Sequence, residues 1–150
     1  MPVFGFFYRN AVVMVERSNV EKRAASVKVL KRIIAKGISV VIAPEGTFNT
    51  SAKPLKDFYD GAFKIAIETQ TPIRPLLFLD TFDRLHHQSV FTLSPGRSRA
   101  VYLEEIKVDG LSNKDAPMLK EKVYRLMEQK LIDYRASWID LPRTMDAEFK

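Results

Sequence analysis

The chain has 150 residues and a formal net charge of +6 at pH 7. A chain of this length can bury a hydrophobic core without covalent cross-links. It contains no cysteine, which excludes disulfides, Cys-based zinc sites and thiol nucleophiles and suits a reducing compartment. No apolar stretch approaches the roughly 20 residues that a membrane-spanning helix needs. We therefore expect the chain by itself to be soluble and cytoplasmic.

The positive charge is concentrated in the first third of the chain. Residues 1–50 carry eight Lys or Arg against three acidic residues, whereas residues 51–150 carry sixteen against fifteen. A local basic excess forms either an ordinary solvated face or a surface for nucleic acid, acidic lipid or a phosphorylated substrate. The basic positions lack interleaved aromatic residues for base stacking, so we predict no nucleic-acid partner.

The start of the chain has the pattern of a strand, a helix and a second strand. Residues 11–16 read as a strand, and Ser18 and Glu21 then form a capping-box pattern at a helix start. Apolar residues follow at helical spacing until Gly37 ends the helix. Residues 38–43 are a continuous, β-branched run typical of a strand covered on both faces. This order predicts a βαβ unit with parallel strands.

The rest of the chain predicts two helices and three short strands. The helices cover residues 61–69 and about 112–134. The strands cover residues 73–79, 89–93 and 99–106. There is no internal repeat and no linker that would mark a domain boundary. We therefore predict a single α/β domain over the whole chain, with a mixed, mostly parallel sheet flanked by helices.

One segment, VVIAPEGTFN at residues 40–49, runs from a predicted strand directly into polar residues. In open α/β sheets, ligands gather at the carboxyl ends of the strands. Gly46 would let the backbone approach a ligand, and Thr47 offers a hydroxyl. Three lysines in the following loop and helix could add positive charge: Lys53, Lys56 and Lys64. Together these groups suit an anion the size of a phosphate.

Glu45 fits an anion site poorly, because a bare carboxylate repels a phosphate. We expect it to pair with a guanidinium, and Arg17 at the end of the preceding predicted strand is the candidate. Parallel strands would bring both strand ends to one edge of the sheet. A turn in which Glu45, Gly46 and Thr47 merely cap the next element fits the spacing equally well, so both interpretations stay open here.

Several sequence blocks, taken in order, resemble the lysophospholipid acyltransferase family, best known through 1-acylglycerol-3-phosphate acyltransferases. The blocks are PVFG at residues 2–5, VERSN at 15–19, APEGT at 43–47, GAFKIA at 61–66 and TPIRPL at 71–76. Their order and spacing are far more specific than any single block. The resemblance covers residues 2 to about 80 and is loose beyond them.

The resemblance implies transfer of a fatty acyl group from acyl-CoA or acyl carrier protein to the free hydroxyl of a lysophosphatidate-like acceptor in phospholipid biosynthesis. It implies no metal or organic cofactor, and work at the cytoplasmic face of a membrane with an acidic surface. By position, it makes Arg17, Glu45, Gly46 and Thr47 the substrate-binding residues.

The chain departs from the family in lacking its general base. The family uses a histidine followed five positions later by an aspartate, in a block that precedes those found here, and the aspartate orients the imidazole. The only histidines here are His86 and His87, and the residues five positions after them are Phe91 and Thr92. We therefore predict no catalytic residue in this chain and no acyl transfer by the chain alone.

A second departure is Phe48, which stands where the family usually has an arginine that binds phosphate. Phenyl in place of guanidinium removes a bidentate anion contact, which a lysine point charge replaces only in part. Lys53 or Lys56 could supply that charge. The change also leaves the headgroup of the acceptor open.

Two further expectations follow from the missing first block. We expect Met1 to lie inside a longer protein whose upstream part carries the His/Asp pair and a membrane anchor, which in-frame translation upstream of Met1 would test. We expect the chain alone to expose a sheet face or edge that favours self-association.

The rival interpretation of the function is a non-catalytic module that binds anionic lipid or a membrane surface, built on the basic face of the predicted helix over residues 20–36.

Overall fold

The computed structural model describes residues 20–51, 53–85 and 90–139. The chain divides into two compact units, Met1–Ile42 and Ala43–Lys150, and each is described by itself. The predicted strand over residues 11–16, the cap at Ser18, Arg17 and both histidines lie outside the described residues. The single-domain organisation stays a prediction.

The described part of the first unit contains one helix, α1, which spans Val20–Ala35. Leu30 on its apolar face is buried, whereas Lys28 and Arg32 are exposed. Gly37 has a φ of +74°, and its backbone N–H donates to the carbonyl three residues earlier at 2.8 Å. Because glycine adopts positive φ without a steric penalty, it ends the helix as predicted.

The predicted strand over residues 38–43 does not form. The described structure assigns these residues no strand, and Val41 is 84% exposed and Ile38 55% exposed. A strand covered on both faces needs neighbours that bond its backbone and bury its side chains, and no described strand pairs with this run. The described sheet has two antiparallel strands. The expectation of a mostly parallel sheet is therefore corrected for the described residues.

That sheet lies in the second unit and pairs β1, Leu76–Phe78, with β2, Ala100–Tyr102. Leu77 faces Val101 in the register, and an isolated antiparallel bridge joins Ile73 to Ile106. These pairings confirm strand structure within two of the predicted ranges. The third predicted strand, residues 89–93, is wrong, because its described part is a turn of 3-10 helix at Val90–Thr92.

Three α-helices complete the described part of the second unit. Helix α2 spans Gly61–Glu68, the short helix α3 spans Thr81–Arg84, and α4 spans Ala116–Asp133. A turn of 3-10 helix at Asn113–Asp115 leads directly into α4. Helices α2 and α4 match the predictions closely, because their apolar residues recur at helical spacing. Helix α3 lies in a segment for which no element was predicted.

A hydrophobic core forms between α2, α4, the strand pair and the loop that precedes α2. Its most buried large side chains include Leu55, Phe58, Phe63, Ile67, Leu77, Leu79, Leu103, Val108, Leu119, Val123 and Leu131. Two of these, Leu55 and Phe58, come from the loop before α2. This loop is therefore anchored to the core by two buried side chains.

An ion pair between Asp80 and Arg99 joins the two strands at one end. The Arg99 guanidinium donates to both Asp80 carboxylate oxygens at 2.6–3.1 Å, and its backbone N–H donates to Oδ2 at 2.8 Å. The same guanidinium also donates to the carbonyl of Tyr134 at 3.2 Å, just after α4. One side chain thus ties β1, β2 and the end of α4 together.

We expect Ser112→Ala to lower the free energy of unfolding by about 1 kcal/mol. The Ser112 backbone N–H and hydroxyl both donate to the Asp115 carboxylate at 2.8 Å, and alanine removes one of these bonds at the start of the helix. Urea denaturation measures the loss. Ser112→Thr keeps the hydroxyl and is the control, and equal losses in the two variants would contradict a role for the cap.

Candidate functional site

The polar segment singled out from the sequence begins a loop whose two ends meet. The Tyr59 backbone N–H donates to the Pro44 carbonyl at 2.9 Å, which closes the loop at its base. Gly46 turns the chain with a φ of +74°, and its N–H donates to the Ala43 carbonyl at 3.2 Å. We call residues 43–59 the acceptor loop, after the acceptor-binding role that the family resemblance predicts for residues 45–47. A residue with a side chain would be strained at position 46, which explains the glycine.

Glu45 points its carboxylate into the acceptor loop. It is half-buried, and its Oε2 accepts the backbone N–H of Lys56 at 2.8 Å. Burial raises the pKa of the Glu45 carboxyl, and the bond from Lys56 acts in the opposite direction with a smaller effect. The predicted pairing of Glu45 with Arg17 stays a prediction, because Arg17 lies outside the described residues.

Lys56 also binds the threonine of the segment. Its ammonium Nζ donates to the Thr47 hydroxyl oxygen at 2.8 Å. Lys56 therefore contacts both polar side chains. Its backbone N–H binds the Glu45 carboxylate, and its ammonium group binds the Thr47 hydroxyl. The structure brings Glu45, Gly46, Thr47 and Lys56 together, with a positive charge beside an exposed hydroxyl and a tight glycine turn.

The other two lysines of the sequence analysis lie differently. Lys53 Nζ is 4.0 Å from the Asp57 carboxylate, and Lys64 Nζ is 3.9 Å from Asp60. Both ion pairs are solvent-exposed, and exposed ion pairs contribute little to the free energy of folding. The sequence left the choice among the lysines open, and the contact with Thr47 distinguishes Lys56.

The exposed Phe48 and the half-buried Asn49 follow Thr47 in the loop. Phe48, at the position where a family arginine is usual, is 74% exposed. The Asn49 side chain accepts the Ser51 backbone N–H at 2.9 Å and donates to the Lys53 carbonyl at 2.9 Å. The first of these bonds forms an Asx turn, and the second joins Asn49 to Lys53.

Replacing Glu45 with glutamine should slightly stabilise the protein at neutral pH. The amide oxygen still accepts the Lys56 N–H, whereas the cost of burying a charge is removed. Because the folded-state pKa of Glu45 is raised from 4.5, the wild type loses stability as pH rises through that range, and glutamine does not. Denaturation curves from acidic to neutral pH measure the difference.

The two curves should meet at acidic pH, where the wild-type carboxyl is protonated in both states. Glu45→Gln that is less stable than the wild type at neutral pH would contradict this expectation. Such a result would favour the predicted ion pair with Arg17 instead, because glutamine would then lose a charged partner.

Comparison with known proteins identifies the class to which this fold and loop belong. The family model for acyltransferases matches residues 1–79, which is more than half of the chain and includes the segment from Glu45 to Lys56. The chain belongs to the acyltransferase family. The predicted family resemblance is confirmed.

The similar proteins include 1-acyl-sn-glycerol-3-phosphate acyltransferases. The chain is 31% identical over 97 residues to the human beta enzyme, a match that covers 65% of the chain and 34% of the enzyme. It is 30% identical over 100 residues to the mouse alpha enzyme, covering 67% of the chain and 35% of the enzyme. An uncharacterized acyltransferase of Schizosaccharomyces pombe is 27% identical over 139 residues, a match that covers 89% of the chain and 48% of that protein. The chain thus spans about half or less of the length of these relatives.

A solved structure shows the same fold. It is the crystal structure of the 1-acyl-sn-glycerophosphate (LPA) acyltransferase PlsC from Thermotoga maritima, with a TM-score of 0.64 and 21% sequence identity. The match covers 78% of this chain and 47% of that one. The predicted acyltransferase-like fold is confirmed. Among the residues that the structure describes, no helix is both long and apolar enough to cross a bilayer.

Proposed function

We propose that this chain takes part in transferring a fatty acyl group from a thioester to the free hydroxyl of a lysophosphatidate-like acceptor, in phospholipid biosynthesis. The acyltransferase family and the names of its relatives support the reaction class. We further propose that the acceptor loop binds the phosphate of the acceptor. The observation that carries this proposal is the Lys56 ammonium, 2.8 Å from the Thr47 hydroxyl beside the Gly46 turn.

Each part of the loop has a distinct task in the proposed site. The Lys56 ammonium donates one bond to Thr47, which leaves its other N–H donors for phosphate oxygens. Gly46 has no side chain to keep a phosphate away from the backbone. The Thr47 hydroxyl donates only a long hydrogen bond, 3.4 Å, to the Phe48 carbonyl and can turn to donate a hydrogen bond to the anion. The Glu45 carboxylate is engaged by the Lys56 N–H, so its acceptor capacity is directed into the loop. Arg17 is proposed as a further cation of the site.

In the proposed reaction, the acceptor hydroxyl oxygen attacks the thioester carbonyl carbon as a base removes its proton. The carbon–sulfur bond then breaks, and the leaving thiolate takes up the proton that the base removed, which gives the acylated lipid and a free thiol. The proposed carrier of the thioester is coenzyme A or acyl carrier protein. No histidine in this sequence is followed five positions later by an aspartate. We therefore propose that this chain supplies acceptor binding, and that purified chain binds the acceptor without transferring palmitoyl groups from palmitoyl-CoA.

Liposome sedimentation with three matched lipid mixtures tests the proposed recognition. The liposomes contain lysophosphatidate, lysophosphatidylcholine, or phosphatidylglycerol at the same surface charge as the first set, and each is tested at low and high salt. We expect binding to lysophosphatidate to persist at high salt and to exceed binding to both other sets. Attachment that follows surface charge alone and disappears at high salt would contradict the proposal, because screening removes non-specific attraction.

A further inference from the structure

Two hydrogen bonds, which we call the tethers, join the acceptor loop to residues that follow the family-model match over residues 1–79. The Tyr124 hydroxyl on α4 donates to the Leu55 carbonyl at 3.2 Å. The Trp138 indole N–H donates to the Pro54 carbonyl at 3.2 Å. These two carbonyls belong to the two residues that directly precede Lys56. The C-terminal part therefore holds the backbone at the point where the loop delivers its lysine.

Aromatic packing fixes the direction of the first tether. The rings of Tyr124 and Phe58 meet edge-on with their centroids 5.1 Å apart, and Phe58 stacks on Phe63 of α2 at 6.1 Å. Leu55 and Phe58 are each 5% exposed. Because close-packed rings have little freedom to move, the Tyr124 phenol oxygen is held within hydrogen-bond distance of the Leu55 carbonyl.

Both contacts of Lys56 depend on the position of the backbone that the tethers hold. A shift of the backbone at Pro54 and Leu55 would withdraw the Lys56 N–H from Glu45 and its ammonium from Thr47 together. Burial raises the pKa of the Tyr124 phenol, and the carboxylates of Glu128 and Asp57 raise it further, with a smaller effect from Glu45.

We propose that Tyr124 and Trp138 are positioning residues that place Lys56 and thereby set the affinity of the acceptor loop for a phosphate headgroup. This inference rests on the proposed function of the loop. Both residues act through the carbonyls before Lys56, and neither is required to touch the lipid. Acceptor binding then depends on α4 and the segment after it, as well as on the blocks shared with the family.

Tyr124→Phe in the full 150-residue chain tests the first tether, because it removes the hydroxyl and keeps the ring on Phe58. Tyr102→Phe is the matched control, since Tyr102 lies on β2 and is 64% exposed. We expect Tyr124→Phe to weaken lysophosphatidate binding roughly tenfold, as the loss of one aligned hydrogen bond allows. Tyr102→Phe should bind as the wild type does.

Two spectroscopic measurements separate positioning from a general loss of stability. Hydrogen exchange of the Lys56 amide should accelerate in Tyr124→Phe, whereas amides of the β1–β2 pair keep their exchange rates. The pKa of the Glu45 carboxyl, followed by 13C NMR, should rise further above its ordinary value, because withdrawal of Lys56 removes the hydrogen bond and the charge that lower it. Unchanged Lys56 exchange and an unchanged Glu45 titration in Tyr124→Phe would overturn the proposal.

Trp138→Phe provides a second, independent variant, since it keeps an aromatic ring and removes the indole N–H. It should produce the same changes at Lys56 and Glu45, and it decides the question if Tyr124→Phe folds poorly. The two proposals can fail separately. If wild-type chain does not bind lysophosphatidate, the proposed function fails, whereas the exchange and titration measurements still show whether the tethers position Lys56.

Discussion

Replacing Lys56 with methionine should weaken lysophosphatidate binding by roughly a hundredfold, since a hydrogen bond to a charged group contributes about 1.5–3 kcal/mol. Methionine keeps a long unbranched side chain and the backbone N–H that binds Glu45, but it lacks the charge and the donors directed at Thr47. The loop should therefore keep its shape and lose its cation. Isothermal titration calorimetry with lysophosphatidate below its aggregation threshold measures the change.

Lys53→Met is the matched control, because it removes the same charge from the same loop. Lys53 is exposed and lies 4.0 Å from Asp57, so its loss should change affinity little. Equal weakening by both substitutions would mean that the loop attracts anions by its overall charge. The specific role assigned to Lys56 would then be wrong.

Asp80→Asn should produce the largest loss of stability among the polar substitutions considered, with a fall in melting temperature of several degrees. Asp80 is 7% exposed, and both of its carboxylate oxygens accept hydrogen bonds from the Arg99 guanidinium. Asparagine can accept at only one oxygen and leaves the guanidinium without its counter-charge. The ends of β1 and β2 would separate most easily, and the bond from Arg99 to the end of α4 would weaken.

The same pair should give the protein a distinct acid sensitivity. Hydrogen bonds from Arg99 lower the pKa of Asp80 from 3.8 to about 2. Because the folded state holds this carboxyl ionised more strongly than the unfolded state does, the stability it contributes is present above about pH 4 and declines as pH falls toward 2. Urea denaturation across this range should show a steeper acid loss in the wild type than in Asp80→Asn.

Asp83→Asn serves as the control for both measurements. Asp83 is exposed and lies 3.9 Å from the Arg84 guanidinium, so its removal should change the free energy of unfolding by less than about 0.5 kcal/mol. An Asp80→Asn protein that is as stable as Asp83→Asn, or that keeps the acid slope of the wild type, would contradict the role assigned to the pair.

The three longer helices, α1, α2 and α4, were predictable because their signals are local, whereas the four-residue helix α3 was not predicted. In α4, Ser112 and Asp115 mark the start, and Leu119, Val123 and Leu131 recur on one face and are all buried. Gly37 likewise marks the end of α1 within a few residues of sequence. Signals of this kind depend on neighbours along the chain and survive without knowledge of the tertiary structure.

The sheet was harder to predict, because strand pairing depends on distant residues. The apolar run at residues 38–43 has the composition of a buried strand, yet Val41 is 84% exposed. Residues 89–93 suggested a strand as well, and their described part turns as a 3-10 helix. Composition indicates what a segment suits, whereas a strand forms only where another strand bonds to it.

The candidate site was predictable in its residues and only partly in its contacts. Glu45, Gly46 and Thr47 were visible as a polar run after apolar residues, and the family blocks drew attention to them. The tethers that hold Lys56 were not visible, because Tyr124 lies 69 residues from its partner and Trp138 lies 84 residues from its own. Neither residue has a local sequence feature that distinguishes it from an ordinary core aromatic.

An NMR titration of the whole chain with lysophosphatidate tests the central claim most directly. The claim predicts that the backbone amide signals of Gly46 and Thr47 and the side-chain signals of Lys56 shift together and saturate, and that lysophosphatidylcholine at the same concentrations leaves them unchanged. If these signals stay in place while lysophosphatidate binds elsewhere, or if both lipids shift them equally, the acceptor loop is not the phosphate site.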